Sequence, residues 1–112
     1  MITLSYAADR YCIRHAAGQG THSCFINKSF LPDNARKILD SLLIFGQTQE
    51  HVYALTERQD REVVHIFHKI QDENGSDYVY SEQLEKTYLL ELIHFVTKLH
   101  FERYPYARSS VN

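Results

Sequence analysis

The sequence predicts an α+β fold, mostly helical: a short N-terminal β-meander packed against three helices, the last two forming an antiparallel hairpin. Three observations predict it. Up to Asn27, apolar and polar side chains alternate within short β-favouring runs, a period of two. From Pro32 onward apolar residues recur at helical spacing in three blocks. The last two blocks are joined by the short Asn74-Gly75-Ser76-Asp77, which makes their helices antiparallel neighbours. One domain is expected over 1–112, with strands in 1–31, a helical region in 32–104 and a tail in 105–112.

In chain order, Ile2, Leu4 and Tyr6 alternate with polar residues as a half-buried strand does. Tyr11-Cys12-Ile13-Arg14-His15 is a second strand, Ala16-Ala17-Gly18-Gln19-Gly20-Thr21 a breaker, and His22-Ser23-Cys24-Phe25-Ile26-Asn27 a third strand. Three short strands leave open edges that invite further pairing. Pro32 suits a helix's first turn, and Asp33 or Asn34 can accept from its free amides. Ala35, Ile38, Leu39, Leu42 and Leu43 then mark one helical face, and Gly46 is the expected stop. Val52-Tyr53-Ala54-Leu55 is a short apolar segment whose state its length leaves open.

Thr56-Glu57-Arg58-Gln59 reads as a capping box opening a helix to about Glu73, with Val63, Val64, Ile66, Phe67 and Ile70 on one face. Asn74-Gly75 supplies its left-handed stop. The third helix starts between Asp77 and Ser81 and reaches Phe101 or just beyond, with Pro105 ending it. Leu84, Tyr88, Leu92, Phe95 and Leu99 form one stripe, widened by Leu89, Ile93 and Val96, against Lys86, Thr87, Glu91, His94, Thr97 and Lys98. This arc covers about half the circumference, wider than one neighbour requires. Glu85 lands inside it, which reads as a structural pair with a nearby Arg or His or as a register device on an interface, and Leu90 falls on the polar side, a sign of a contact beyond the hairpin.

Composition narrows the function classes. A hydrophobic share of 44% and a charged share of 23% are ordinary for a soluble globular chain. With 12 basic and 14 acidic side chains the formal charge is −2, which gives no hint of a nucleic-acid face. No apolar run is long enough for a bilayer and the N-terminus lacks a signal-peptide core, so a cytoplasmic protein without a membrane partner is expected. Two cysteines, Cys12 and Cys24, are no disulfide framework.

The candidate chemistry centres on the seven histidines. His65 and His68, three apart on a helix, have a spacing that can hold a metal, but with Arg61 they fall on the solvated face, the commoner circumstance. No H-E-x-x-H is present. His15 and His22 flank the turn between two strands and could take a third ligand from His51 or Asp9, the basis of an alternative reading as a small metal-dependent cupin-like enzyme. Against it, the tight H-x-H pair of many such enzymes is missing. Cys12 and Cys24 read as small buried hydrophobes that could face each other or the core. No phosphate loop or G-x-S-x-G elbow occurs, and Glu57–Arg61 and Glu82–Lys86 have the spacing of solvated i,i+4 pairs. No metal, cofactor or catalytic residue is therefore expected.

Two stretches together resemble a known family. One is Thr21-His22-Ser23-Cys24-Phe25-Ile26-Asn27-Lys28-Ser29-Phe30-Leu31, a strand that hands over to helices. The other runs from Leu43-Ile44-Phe45-Gly46 through Leu55-Thr56, Ile66-Phe67 and Asp77-Tyr78 to Tyr88-Leu89-Leu90-Glu91-Leu92-Ile93-His94 and Lys98-Leu99. Their order resembles the back end of the N-terminal regulatory domain of AraC-type bacterial transcription regulators. In that family a cupin-like barrel, which can take an effector, precedes a dimerising helical hairpin and a separate DNA-binding domain.

The resemblance implies a middle piece of such a regulator: the last barrel strands plus the hairpin, with neither a full barrel nor the DNA-binding motifs. The implied function is that of a regulatory and dimerisation module, a homodimer through Glu85, Tyr88, Leu92, Phe95, Val96 and Leu99. It implies no direct nucleic-acid binding, and a small-molecule effector only in a full-length parent. No effector-binding residue carries over. A stand-alone helical interaction domain is the remaining alternative.

Overall fold

A computed structural model describes residues 1–7, 10–17, 20–44 and 50–103. The protein is an α+β fold of two layers. Strands β1 (Ile2–Ala7), β2 (Arg10–Ala17) and β3 (Gly20–Asn27) form the expected meander, followed by a single 3-10 turn and α1 (Asp33–Ile44). A fourth strand, β4 (Glu50–Tyr53), precedes α2 (Glu57–Glu73) and α3 (Ser81–Arg103). The expected stops at Gly46 and Pro105, the tail 105–112, Asp9, the turn centre Gly18-Gln19 and the side chains of Leu42 and Leu43 lie outside the described residues.

The sheet is antiparallel in the order β3-β2-β1-β4. The segment whose state was open from sequence is thus partly a strand, shifted to Glu50–Tyr53, and it covers the free edge of β1 with Ile2 opposite Tyr53 and Leu4 opposite His51. An unpaired edge exposes a row of N–H and C=O groups, and β4 removes one such row. On the helix-facing side Ile2, Leu4, Tyr11, Ile13 and Ile26 are buried, while Arg14, Ser23, Phe25 and Val52 face away and are exposed. Period-two alternation separates these sets, as expected for a sheet covered on one face.

The register also settles the cysteines: Cys12 pairs with Phe25 and Cys24 with Ile13, so the two thiols lie on opposite faces and do not meet.

Helix boundaries follow their caps. Pro32 lies one residue before α1, its carbonyl accepting from the Arg36 N–H at 3.1 Å, and the Asn34 side chain accepts from the Ala35 N–H at 2.9 Å. At α2 the capping box is complete: the Gln59 N–H donates to Thr56 Oγ1 at 3.2 Å, and the Thr56 N–H donates to Gln59 Oε1 at 2.9 Å. Gly75 at φ 81° turns the chain after α2.

Val63, Ile66, Phe67 and Ile70 of α2 meet Leu89, Leu92, Ile93, Val96 and Leu99 of α3 in one core with the sheet. Lys69 ties the two helices outside, at 2.6 Å from Glu91. α1 joins through Ala35, Leu39 and a Tyr11 hydroxyl that donates to Asp40 at 2.5 Å.

Candidate functional site

Two features have functional geometry: a histidine cluster where α2 crosses β2 and β3, and the outer face of the α2–α3 hairpin. The cluster starts from register. His15 stands opposite His22 across β2 and β3, and opposite Ile2 across β1, so both imidazoles point to the helix side. His15 is 1% exposed, and its Nε2 lies 2.8 Å from Asp60 Oδ1 in the first turn of α2. A carboxylate only accepts, so Nε2 carries the proton, and Nδ1 is left buried without a hydrogen-bond partner.

The His22 ring stacks on His15 at 6.1 Å and on Phe67 at 5.6 Å, and meets the edge of His68 at 5.5 Å. Its burial, then the neighbouring His68 and His15, hold it below the usual histidine pKa, so it is neutral at pH 7. His15, Asp60, Arg61, Val64, His65 and His68 line an open hollow of about 350 Å³ beside it.

Two histidine pairs that the sequence kept apart, His15/His22 and His65/His68, are therefore brought to one place. His51 is not there. It lies on β4, beyond β1, and pairs with Leu4, so it joins Tyr53 and the fully buried His100 of α3 instead. Tyr53 Oη and His100 Nδ1 are 2.8 Å apart, and burial, then His51, lowers the His100 pKa. Among the described residues no three His, Cys, Asp or Glu side chains are placed to hold a metal ion.

Burial first, then Glu85 and Cys12, push the Cys24 thiol up to about 11. Asp60 is the residue sequence reading missed. The available signal was His15 sharing the apolar period of Tyr11 and Ile13, because a histidine on a core face needs a partner.

On the hairpin, the buried face of α3 comprises Leu89, Leu92, Ile93, Val96, Leu99 and His100. Five of these six belong to the half-circumference arc read off the sequence, and at 100° per residue the buried centre is shifted by roughly 40° from the centre of that arc, away from Leu84, Tyr88 and Phe95. Leu92, Val96 and Leu99, expected in an intermolecular seam, belong to the chain's own core, at 0, 0 and 6% exposure. Tyr88, Phe95 and Glu85 are half-buried. Phe95 and Ile66 floor a groove of about 320 Å³ on the outer side of the hairpin, rimmed by Glu62, His65 and Lys98. Leu90, predicted on the polar side, packs against the core edge.

Glu85 lies close enough to Cys24 to influence its thiol. The ion pair on α2 joins Arg58 to Glu62 at 3.3 Å, whereas Arg61, the expected partner of Glu57, lines the histidine hollow. No protein family, curated protein or solved structure matches the chain.

Proposed function

We propose that this chain is a regulatory and dimerisation module of the kind found at the back of the N-terminal domain of AraC-type transcription regulators, acting by association and not by catalysis, and without a DNA-binding motif of its own. The observation that carries the reading is the two-sidedness of α3. Its inner face is filled by the chain's own core, yet Tyr88 and Phe95 stay half-buried on its margin, Phe95 in the groove with Ile66. A helix with apolar side chains beyond the arc its own fold uses is suited to a second contact. The order of a strand meander first and a helical hairpin last, with α1 and β4 between them, also supports the reading.

The seam is then Tyr88 and Phe95 beside the groove that Ile66 floors, with Glu85 at its end, and the partner is a second copy of the chain. Leu92, Val96 and Leu99 support that surface from beneath. Light scattering at micromolar concentration is expected to return twice the 13.2 kDa chain mass. Phe95→Asp is expected to return the single mass with the far-ultraviolet circular dichroism retained. A monomeric native chain refutes the proposal.

A further inference from the structure

The connection between α2 and α3 exposes three consecutive large side chains: Tyr78 is 52%, Val79 81% and Tyr80 57% exposed. This turn is built. The Asn74 N–H donates to the Ile70 carbonyl at 3.1 Å, Ser76 Oγ to Glu73 Oε1 at 2.7 Å and the Ser81 N–H to the Tyr78 carbonyl at 3.0 Å. The Tyr78 and Tyr80 rings meet edge to face at 5.8 Å. An ordered turn that holds contiguous apolar area in water gains nothing from it within its own fold.

The charges carried by the tip's own sequence are acidic. Between Lys69 and Lys86 lie Asp72, Glu73, Asp77, Glu82 and Glu85, and no basic residue. The flanking cations are turned to other tasks. Lys69 is held by Glu91 at 2.6 Å and lies over the Tyr88 ring. Lys86 lies over Phe30 and reaches Glu82 only at 4.0 Å. Phosphate-bearing surfaces, whether nucleic acid or anionic lipid, are repelled by such a rim. Lysine or arginine beside apolar groups complements it, with tyrosines at the centre and charge at the edge, the usual anatomy of a protein interface.

We propose that the α2–α3 hairpin tip is a docking site for a protein segment that carries Lys or Arg beside large apolar side chains, with Tyr78, Val79 and Tyr80 as the apolar centre. The site does not rest on the dimer reading. Tyr78, Val79 and Tyr80 take no part in that seam: Phe95 at its centre lies fifteen positions beyond Tyr80, roughly 22 Å at the helical rise, and only Glu85 at its near end adjoins the tip.

The test is a nitrogen-15 NMR titration of the full chain with a synthetic peptide of alternating arginine and leucine, and with a control peptide in which serine replaces leucine. The expected result is shifts confined to 72–85, affinity about tenfold or more higher for the leucine peptide, and weakening with added salt. A Tyr78→Ser, Tyr80→Ser double variant is expected to remove the leucine advantage while keeping its melting temperature. Equal binding of both peptides, shifts that map elsewhere, or no binding overturns the proposal. So does tip-mediated binding to phosphatidylcholine–phosphatidylglycerol vesicles or to a DNA duplex. Tip shifts that appear on concentrating the protein alone overturn it in favour of a second copy.

Discussion

Replacing Leu92 by alanine and, separately, Phe95 by alanine isolates the two roles of α3. Leu92 is 0% exposed within the core formed by α2, α3 and the sheet. Leu92→Ala removes three buried carbon atoms, a transfer loss of about 2.4 kcal/mol, and the residual cavity raises the cost to about 3–4 kcal/mol. Unfolding entropy scales with length, so in a 112-residue chain each kcal/mol lowers the melting temperature by about 4 °C. The expected drop is therefore about 12–16 °C, read by circular dichroism at fixed protein concentration so that association does not confound it. Phe95 is only half-buried, so Phe95→Ala is expected to cost about 1 kcal/mol of stability, but about thirtyfold in dimer affinity if it anchors the seam. Sedimentation at several concentrations reads the second quantity. A drop under about 5 °C for Leu92→Ala refutes its place in the monomer core, since no full cavity loss is that small. Equal effects of both variants on association refute the division of the helix into an inner and an outer face.

Thr56→Ala removes half of the reciprocal cap on α2, and a loss of about 1 kcal/mol, near 4 °C in melting temperature, is expected. His100 titrates below its usual 6.5 in the folded chain, so the unfolded chain binds the proton first as pH falls. Stability is then full above about pH 6.5 and declines below it, and His100→Leu is expected to flatten that decline in urea unfolding midpoints. In a Cys12→Ser background Cys24, with its thiol near 11, is expected to alkylate at pH 8 roughly tenfold more slowly than a small free thiol, because few thiolates form and their greater basicity recovers only part of the deficit.

The parts of this fold that were legible rest on local patterns. Thr56 with Gln59 announces the start of α2, Asn74-Gly75 its end, and the alternation of Ile2, Leu4, Tyr11 and Ile13 the buried side of the meander. Each is decided by neighbours within four positions, where backbone sterics and capping act. The histidine cluster was half legible. His15 and His22 could be paired across a turn, but α2 had to be laid over them before Asp60 and His68 came into view.

By itself the sequence determined the fold class, the helical hairpin and the existence of more apolar surface on α3 than one neighbour needs. Tertiary structure alone decided which side of that surface is spent inside. The roughly 40° shift of the buried face within that arc arises because α3 must meet α1, α2 and the sheet together, and periodicity cannot separate a core face from an adjoining exposed one. It also decided that Glu50–Tyr53 is a strand, since four residues carry too little pattern to declare themselves and gain their hydrogen bonds only from the distant edge of β1. The faces of Cys12 and Cys24 and the move of His51 to His100 follow from the same cause, a register set by contacts far apart in the chain.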